Sequence, residues 1–242
     1  VGISVAAAPV PILVGLAMSG LVGALLAIAL DSVVYQSMRG TGSITLLIAS
    51  VGVAFVLRYS SVYLFTQQTF GLTAGSVGYD VGLPGGDVRI TLVSLLLIGT
   101  SVIIMLGVHL LLTRTKLGKS MRAMAANKQL AQVTGIPSEK IIRRTWLIGG
   151  ALAGVAGFMI ALLQGTISHQ IGYTLLLLVF SGVILGGIGS VYGAIVGGII
   201  VGLVTRVSLI WVPASFAEAT GFAVMILILL LRPGGLFGGE PT

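Results

Sequence analysis

The chain has 242 residues, 13 of them Lys or Arg and 6 Asp or Glu, so 8% are charged while 56% are hydrophobic. Soluble domains carry roughly 25% charged residues; so few cannot clothe a water-facing surface, which excludes an ordinary soluble enzyme and, with a mean hydropathy of +1.14, points to a polytopic membrane protein. The absence of Cys excludes disulfides and thiolate metal sites, and two His leave no His-rich metal or haem centre, so neither metal nor cofactor is expected.

A membrane span needs about 20 mainly apolar residues. The chain begins at Val1 inside apolar sequence with no charged segment before it. That reads as a truncated or processed amino end with at least one span missing, not as a signal peptide. The first span is predicted over 10–30, followed by Asp31, Arg39 and a Gly/Ser/Thr cluster. The second covers 43–65, interrupted only by Arg58. A Gly-rich polar stretch over 66–89 reads as an external loop able to hold a short hairpin. The third span is predicted over 90–112, a basic loop over 113–144, and the fourth span over 145–163. Residues 173–205 are too long for one ordinary span, and Gly186-Gly187-Ile188-Gly189-Ser190 divides them. They read as two short spans meeting at the Gly cluster, or as a span plus a re-entrant element. The last span, over 216–231, stops at Arg232-Pro233-Gly234-Gly235. The expected fold is all-α: one transmembrane domain of six or seven helices in this chain, eight in the complete subunit.

Eight of the thirteen cations lie between Arg114 and Arg144, with no aromatic residue among them for base stacking. This is the pattern of a cytoplasmic loop under the positive-inside rule, not of a nucleic-acid surface. Placing that loop inside puts Arg39 and the tail inside and the 66–89 loop, with Asp80 and Asp87, outside. Arg89 and Arg206 are the external exceptions.

Gly is unusually frequent, with 36 residues, roughly twice the usual share of about 7%. Small residues recur at spacing four in three rows: Gly15, Ser19, Gly23 and Ala27; Gly149, Ala153, Gly157 and Ala161, with Gly150 and Gly154 beside them; and Gly189, Gly193 and Gly197. Residues i and i+4 share a helix face, so each row predicts a flat seam where another helix approaches closely.

There is no GxxxxGK[ST] phosphate loop, no HExxH and no Ser/His/Asp set, so ATP hydrolysis is not expected on this chain. The segment 113–136, TRTKLGKSMRAMAANKQLAQVTGI, reads as a short amphipathic helix. Leu117, Met121, Met124 and Ala125 share one face, and the helix ends near Gly135 with Pro137 beyond. Its chemistry suits two roles equally: a basic juxtamembrane surface on anionic lipid, or a helix docking into a groove on a cytosolic partner.

The sequence resembles the permease subunits of ABC importers for branched-chain amino acids, specifically the H-type subunit. Gln129, Leu130 and Ala131, then Gly135 and Ile136, are similar to that family's coupling motif of Glu-Ala-Ala, three residues, Gly. Gln129 and Leu130 depart from it. Leu117-Gly118-Lys119-Ser120-Met121-Arg122-Ala123 looks like the family's Gly-Arg-x-x-Arg-Ala pattern. Asp31 to Arg39, the run Leu46 to Arg58, the Gly186 to Ala194 stretch and the terminal Arg232 to Gly238 extend the likeness in order along nearly the whole chain. The resemblance implies half of a translocation path in the cell membrane. It also implies an M-type permease partner, two cytosolic ABC ATPase subunits and an extracytoplasmic substrate-binding protein. Gly118, Arg122, Ala123, Gln129, Ala131 and Gly135 would then couple to the ATPase. Urea or a short amide is an alternative cargo, and an ion-coupled secondary transporter is the alternative of a different class.

Arg58 is a charge inside a span. It either snorkels to the interface or lines the pathway and meets a substrate carboxylate. His109 is read as a packing residue and Glu218 as interfacial. Gly150, Gly154, Gly189, Gly193 and Gly197 are the helix-packing positions.

Overall fold

The computed structural model describes residues 9–65, 70–71, 78–83, 86–187, 189–213, 216–231 and 234–237. These group into two compact units that divide between His169 and Gln170. Among the described residues, five helices are long and apolar enough to cross a membrane, and two shorter apolar ones accompany them. The protein is an all-α polytopic membrane bundle. Without water, every backbone N–H must find a carbonyl within its own segment, which makes helix the default for these apolar runs.

In the first unit, α1 spans Pro9–Leu30 and α2 spans Ser43–Phe65. Twenty-two helical residues reach about 33 Å, enough for a hydrocarbon core of about 30 Å. The end of α1 widens into a π-helical turn over Asp31–Tyr35, where the Gln36 amide donates to the Asp31 carbonyl at 2.7 Å. Helix α3 covers Leu92–Arg114 and α6 covers Ser138–Gln164, with two short helices between them: α4 over Lys116–Ala126 and α5 over Lys128–Val133. Helix α6 starts well before the predicted 145, because Glu139, Lys140, Arg143 and Arg144 are helix-compatible residues that a hydropathy pattern cannot see. Its end is an αL cap at Gly165, φ 68°.

Ile12 and Leu16 of α1, Val93 and Leu97 of α3 and Leu162 of α6 form the buried core of this unit, with Val155, Phe158 and Met159 packed around them. Much of the predicted 66–89 loop lies outside the described residues. What is described is an antiparallel hairpin of β2, Gly78–Leu83, and β3, Gly86–Thr91, with Tyr79 opposite Ile90 and Val81 opposite Val88. A second short ladder pairs β1, Phe70–Gly71, with β4, Thr166–Ile167, and so ties the loop after α2 to the end of α6.

In the second unit, the ambiguous 173–205 region is a helical hairpin: α7 over Ile171–Gly186 and α8 over Val191–Ser208. Gly187 and Gly189 turn the chain with φ of 103° and 96°, a region that costs glycine nothing. The Ser190 hydroxyl then caps α8 by accepting from the Gly193 amide at 3.0 Å. Helix α9, Ala217–Leu231, packs on both arms; Gly221 faces Thr205, Leu178 and Val201, and the Thr220 hydroxyl donates to that of Ser208 at 2.9 Å.

Candidate functional site: the docking segment and the helix seams

The segment after α3 is two helices, where one was expected. The Thr115 hydroxyl caps α4 by accepting from the Gly118 amide at 3.0 Å. Asn127, with extended backbone (φ −157°, ψ 107°), then breaks the run, and its side-chain oxygen caps α5 by accepting from the Leu130 amide at 2.9 Å. Asn competes with helical hydrogen bonding and is among the best N-cap residues, so the amphipathic pattern of 113–136 bends there.

Helix α5 ends in a left-handed cap. Gly135 has φ 83°; its amide donates to the Gln132 carbonyl and the Ile136 amide to the Ala131 carbonyl, both at 3.0 Å. This is the paired hydrogen-bond arrangement of a Schellman motif, which satisfies the last orphan carbonyls.

The residues predicted to couple to an ATPase divide by surface. Gly118 is buried: a Cβ there would overlap the backbone of Leu111 and Leu112, so its glycine lets α4 fold back on the end of α3. Ala131 is buried on the inner face of α5. Arg122, Ala123, Gln129 and Gly135 are exposed. Between them α5 presents Leu130 at 62% and Val133 at 86% exposure, two large apolar side chains three residues apart on one face.

At the same end of α1 and α6, Arg39 makes two ion pairs. One guanidinium nitrogen holds the Asp31 carboxylate and another holds Glu139, a hundred residues away in the first turn of α6. Asp31 is buried. Beside this clamp the rings of Tyr35 and Trp146 stack with centroids 4.8 Å apart. Asp31 and Arg39 bound one short stretch of the sequence. Their spacing of eight across a loop was the only local signal, and nothing local points to Glu139.

The small-residue rows sit as follows. Helices α1 and α6 run antiparallel with Ser19 and Gly23 against Gly154, and Gly23 and Ala27 against Gly150; a Cβ on Gly23, Gly150 or Gly154 would overlap the opposing helix. Gly149 and Gly157, the two glycines of the row Gly149, Ala153, Gly157 and Ala161, face open space. The contact therefore runs one residue round the helix, through Gly150 and Gly154. Beside it, Leu26, Leu30, Trp146 and Gly149 help line an apolar groove of about 560 Å³.

In the hairpin, Gly193 and Gly197 meet Gly186 and Gly182 backbone to backbone. Gly189 is not on that seam; it lies in the turn, with open space where a Cβ would be. The carboxyl tail docks here. The Leu236 and Phe237 amides donate to the carbonyls of Leu185 and Gly186 at 2.9 and 3.0 Å, closing the end of α7, and Gly235 (φ 77°) lies too close to Gly187 for a side chain.

Arg58 sits mid-helix in α2, part-exposed, and is the only charged residue of that helix. His109 lies in the last third of α3, and Glu218 in the first turn of α9.

The description "Branched-chain amino acid transport system / permease component" matches residues 3–231. The chain belongs to this family. It is an integral membrane permease subunit of the ABC importer class. It is similar to the high-affinity branched-chain amino acid transport system permease LivH of Escherichia coli K12, 28% identical over 87% of this chain and 69% of that protein. It is similar also to BraD of Pseudomonas aeruginosa, 28% identical over 95% of this chain and 76% of that one. The probable LivH of Methanocaldococcus jannaschii is 37% identical over 60% of this chain and 48% of its own length. No solved structure matches the chain significantly.

Proposed function

We propose that this subunit forms half of the path for branched-chain amino acids in the plasma or inner membrane. It pairs with an M-type permease, receives cargo from an extracytoplasmic binding protein and is driven by two cytosolic ABC ATPase subunits. The names of its relatives support the cargo. The observation that carries the coupling role is α5, a six-residue helix capped at both ends that turns Leu130 and Val133 outward. In water, apolar side chains on so short a helix gain nothing by exposure, whereas a groove on a partner buries them. Arg122 and Gln129 supply polar contacts at the rim, and Gly118, Ala123, Ala131 and Gly135 shape the surface.

ATP-driven approach of the ATPases displaces α4–α5. Close-packed helix pairs then move as rigid bodies between outward and inward access. Arg58 is the group in α2 that suits a substrate carboxylate.

Co-purification of the ATPase, with leucine uptake and binding-protein-stimulated hydrolysis in reconstituted vesicles, tests this reading. Uptake that continues with no ATPase present, driven by an ion gradient, would remove it. Orientation is tested on the Cys-free chain by a single Cys at 128 or at 76 and an impermeant reagent applied to intact cells. Labelling at 76 and not at 128 is expected, and the reverse pattern inverts the topology.

A further inference from the structure

Movement of a docking helix does work only if it reaches the membrane helices without being absorbed in a loop. From the α5 cap at Gly135 to the first turn of α6 is only Ile136 and Pro137, and Pro137 has φ −73°, the value its ring enforces. Displacement of α5 therefore pulls directly on Ser138 and Glu139. Glu139 is one of the two carboxylates held by Arg39; the other, Asp31, closes the π-helical turn at the end of α1. The Tyr35–Trp146 stack joins the same two elements about two turns deeper along α6.

We propose that Arg39 is a positioning residue for energy coupling: by holding Asp31 and Glu139 together it makes the end of α1 and the start of α6 one body, so that motion of α4–α5 carries both helices. The proposal rests on the docking role of α5. Burial separates the two halves of the clamp. The Asp31 carboxylate is 4% exposed and the Arg39 side chain 16%, so this pair sets the loop; the Glu139 side chain is 65% exposed, so it adds little to folding stability and is the half that crosses between elements.

The test is made on the reconstituted complex of both permeases and the ATPases, reading ATPase retention, hydrolysis, uptake and their ratio. Glu139→Gln should keep the ATPase bound and hydrolysing, and raise the ATP used per amino acid carried by about two- to fivefold. Glu139→Asp should restore most of the ratio. Arg39→Gln should raise it further, by about tenfold. If Arg39→Gln fails to assemble because Asp31 is left unpaired, Glu139→Gln still decides. A second measurement separates a rigid link from a gate. Arg39→Cys with Glu139→Cys should be uncoupled when free and recover coupling when joined by a short bis-maleimide. A wild-type ratio in Glu139→Gln, a proportional fall of hydrolysis and uptake, or a cross-link that arrests transport would each overturn the proposal. Failure of the wild-type chain to retain any ATPase would instead remove the docking role itself.

Discussion

The α1–α6 pair and the α7–α8 hairpin solve the same problem with different means. Both bring antiparallel helices to backbone contact through glycine, because lipid gives apolar side chains no reason to leave it and close packing must supply the attraction. In the hairpin the register comes from the chain itself: a short turn with two positive-φ glycines, a Ser190 cap and a tail bonded to the end of α7. In the α1–α6 pair the partners lie more than a hundred residues apart, and no turn can set their register. There the fixed points are side chains: Phe158 filling the space over Gly15, the Tyr35–Trp146 stack and the Arg39 clamp. A local contact can be specified by turn chemistry, while a remote one needs residues that recognise each other.

The largest expected effect follows from the remote pair. Gly154→Leu would drive a side chain into the Ser19 carbonyl and the Gly23 backbone, where no rotamer gives way. We expect a loss of about 3 kcal/mol or more and collapse of assembly with the partner permease. Normal assembly and uptake would mean that α1 and α6 do not touch at this point. Gly193→Val tests the local pair. It meets the Gly186 carbonyl, but the turn and tail still hold the arms, so we expect a smaller loss of about 2 kcal/mol, read as lower thermal stability in detergent. A cost equal to or above that of Gly154→Leu would show that the turn contributes no independent restraint.

Much of this was legible in the sequence, and what was not has physical reasons. The ends of α2 fall at 43 and 65, as the hydropathy pattern predicts, because apolar length alone decides a span. The row on α1 was legible because Gly15, Ser19, Gly23 and Ala27 keep a strict spacing of four, and all four meet residues of α6. On α6 two adjacent rows are both small, and only the opposing helix selects Gly150 and Gly154 over Gly149 and Gly157. Gly189 continued a spacing of four by coincidence with a turn. The Asn127 break was readable in principle, since Asn before Lys128 is a start signal, but the amphipathic pattern ran on through it. The reach of Arg39 to Glu139 was not readable, because no local pattern encodes a contact across a hundred residues.

The docking segment supplies a change that spares both pairs. Gly135→Val forces a β-branched residue into φ 83° at an exposed site, with an expected cost of about 1–3 kcal/mol confined to the end of α5. Membrane insertion and permease pairing should be unchanged while ATPase co-purification falls. Loss of insertion instead would place Gly135 in the folding of the bundle and not at a docking surface.

The smallest effect is the sharpest reading of the remote pair. Gly149 and Gly157 lie on the same helix as Gly150 and Gly154, one and three residues from them, yet a Cβ on either meets nothing within 4 Å. If glycine served only to make α6 pliable, Gly157→Ala would matter as much as any other replacement. If its use is close approach, Gly157→Ala should be silent or stabilise by up to about 1 kcal/mol, because alanine gives up less backbone entropy in a helix. Gly149 adds a second reading, since it faces the apolar groove beside the contact. For Gly149→Ala we expect the isolated subunit to unfold at an unchanged temperature, followed by the fluorescence of Trp146 and Trp211 in detergent. A drop in that temperature for either variant would mean that α1 lies across the 149–157 row and that the register through Gly150 and Gly154 is wrong by one residue. An unchanged temperature with weakened permease pairing in Gly149→Ala alone would keep the register and identify the groove as the place where a neighbouring helix of the complex seats.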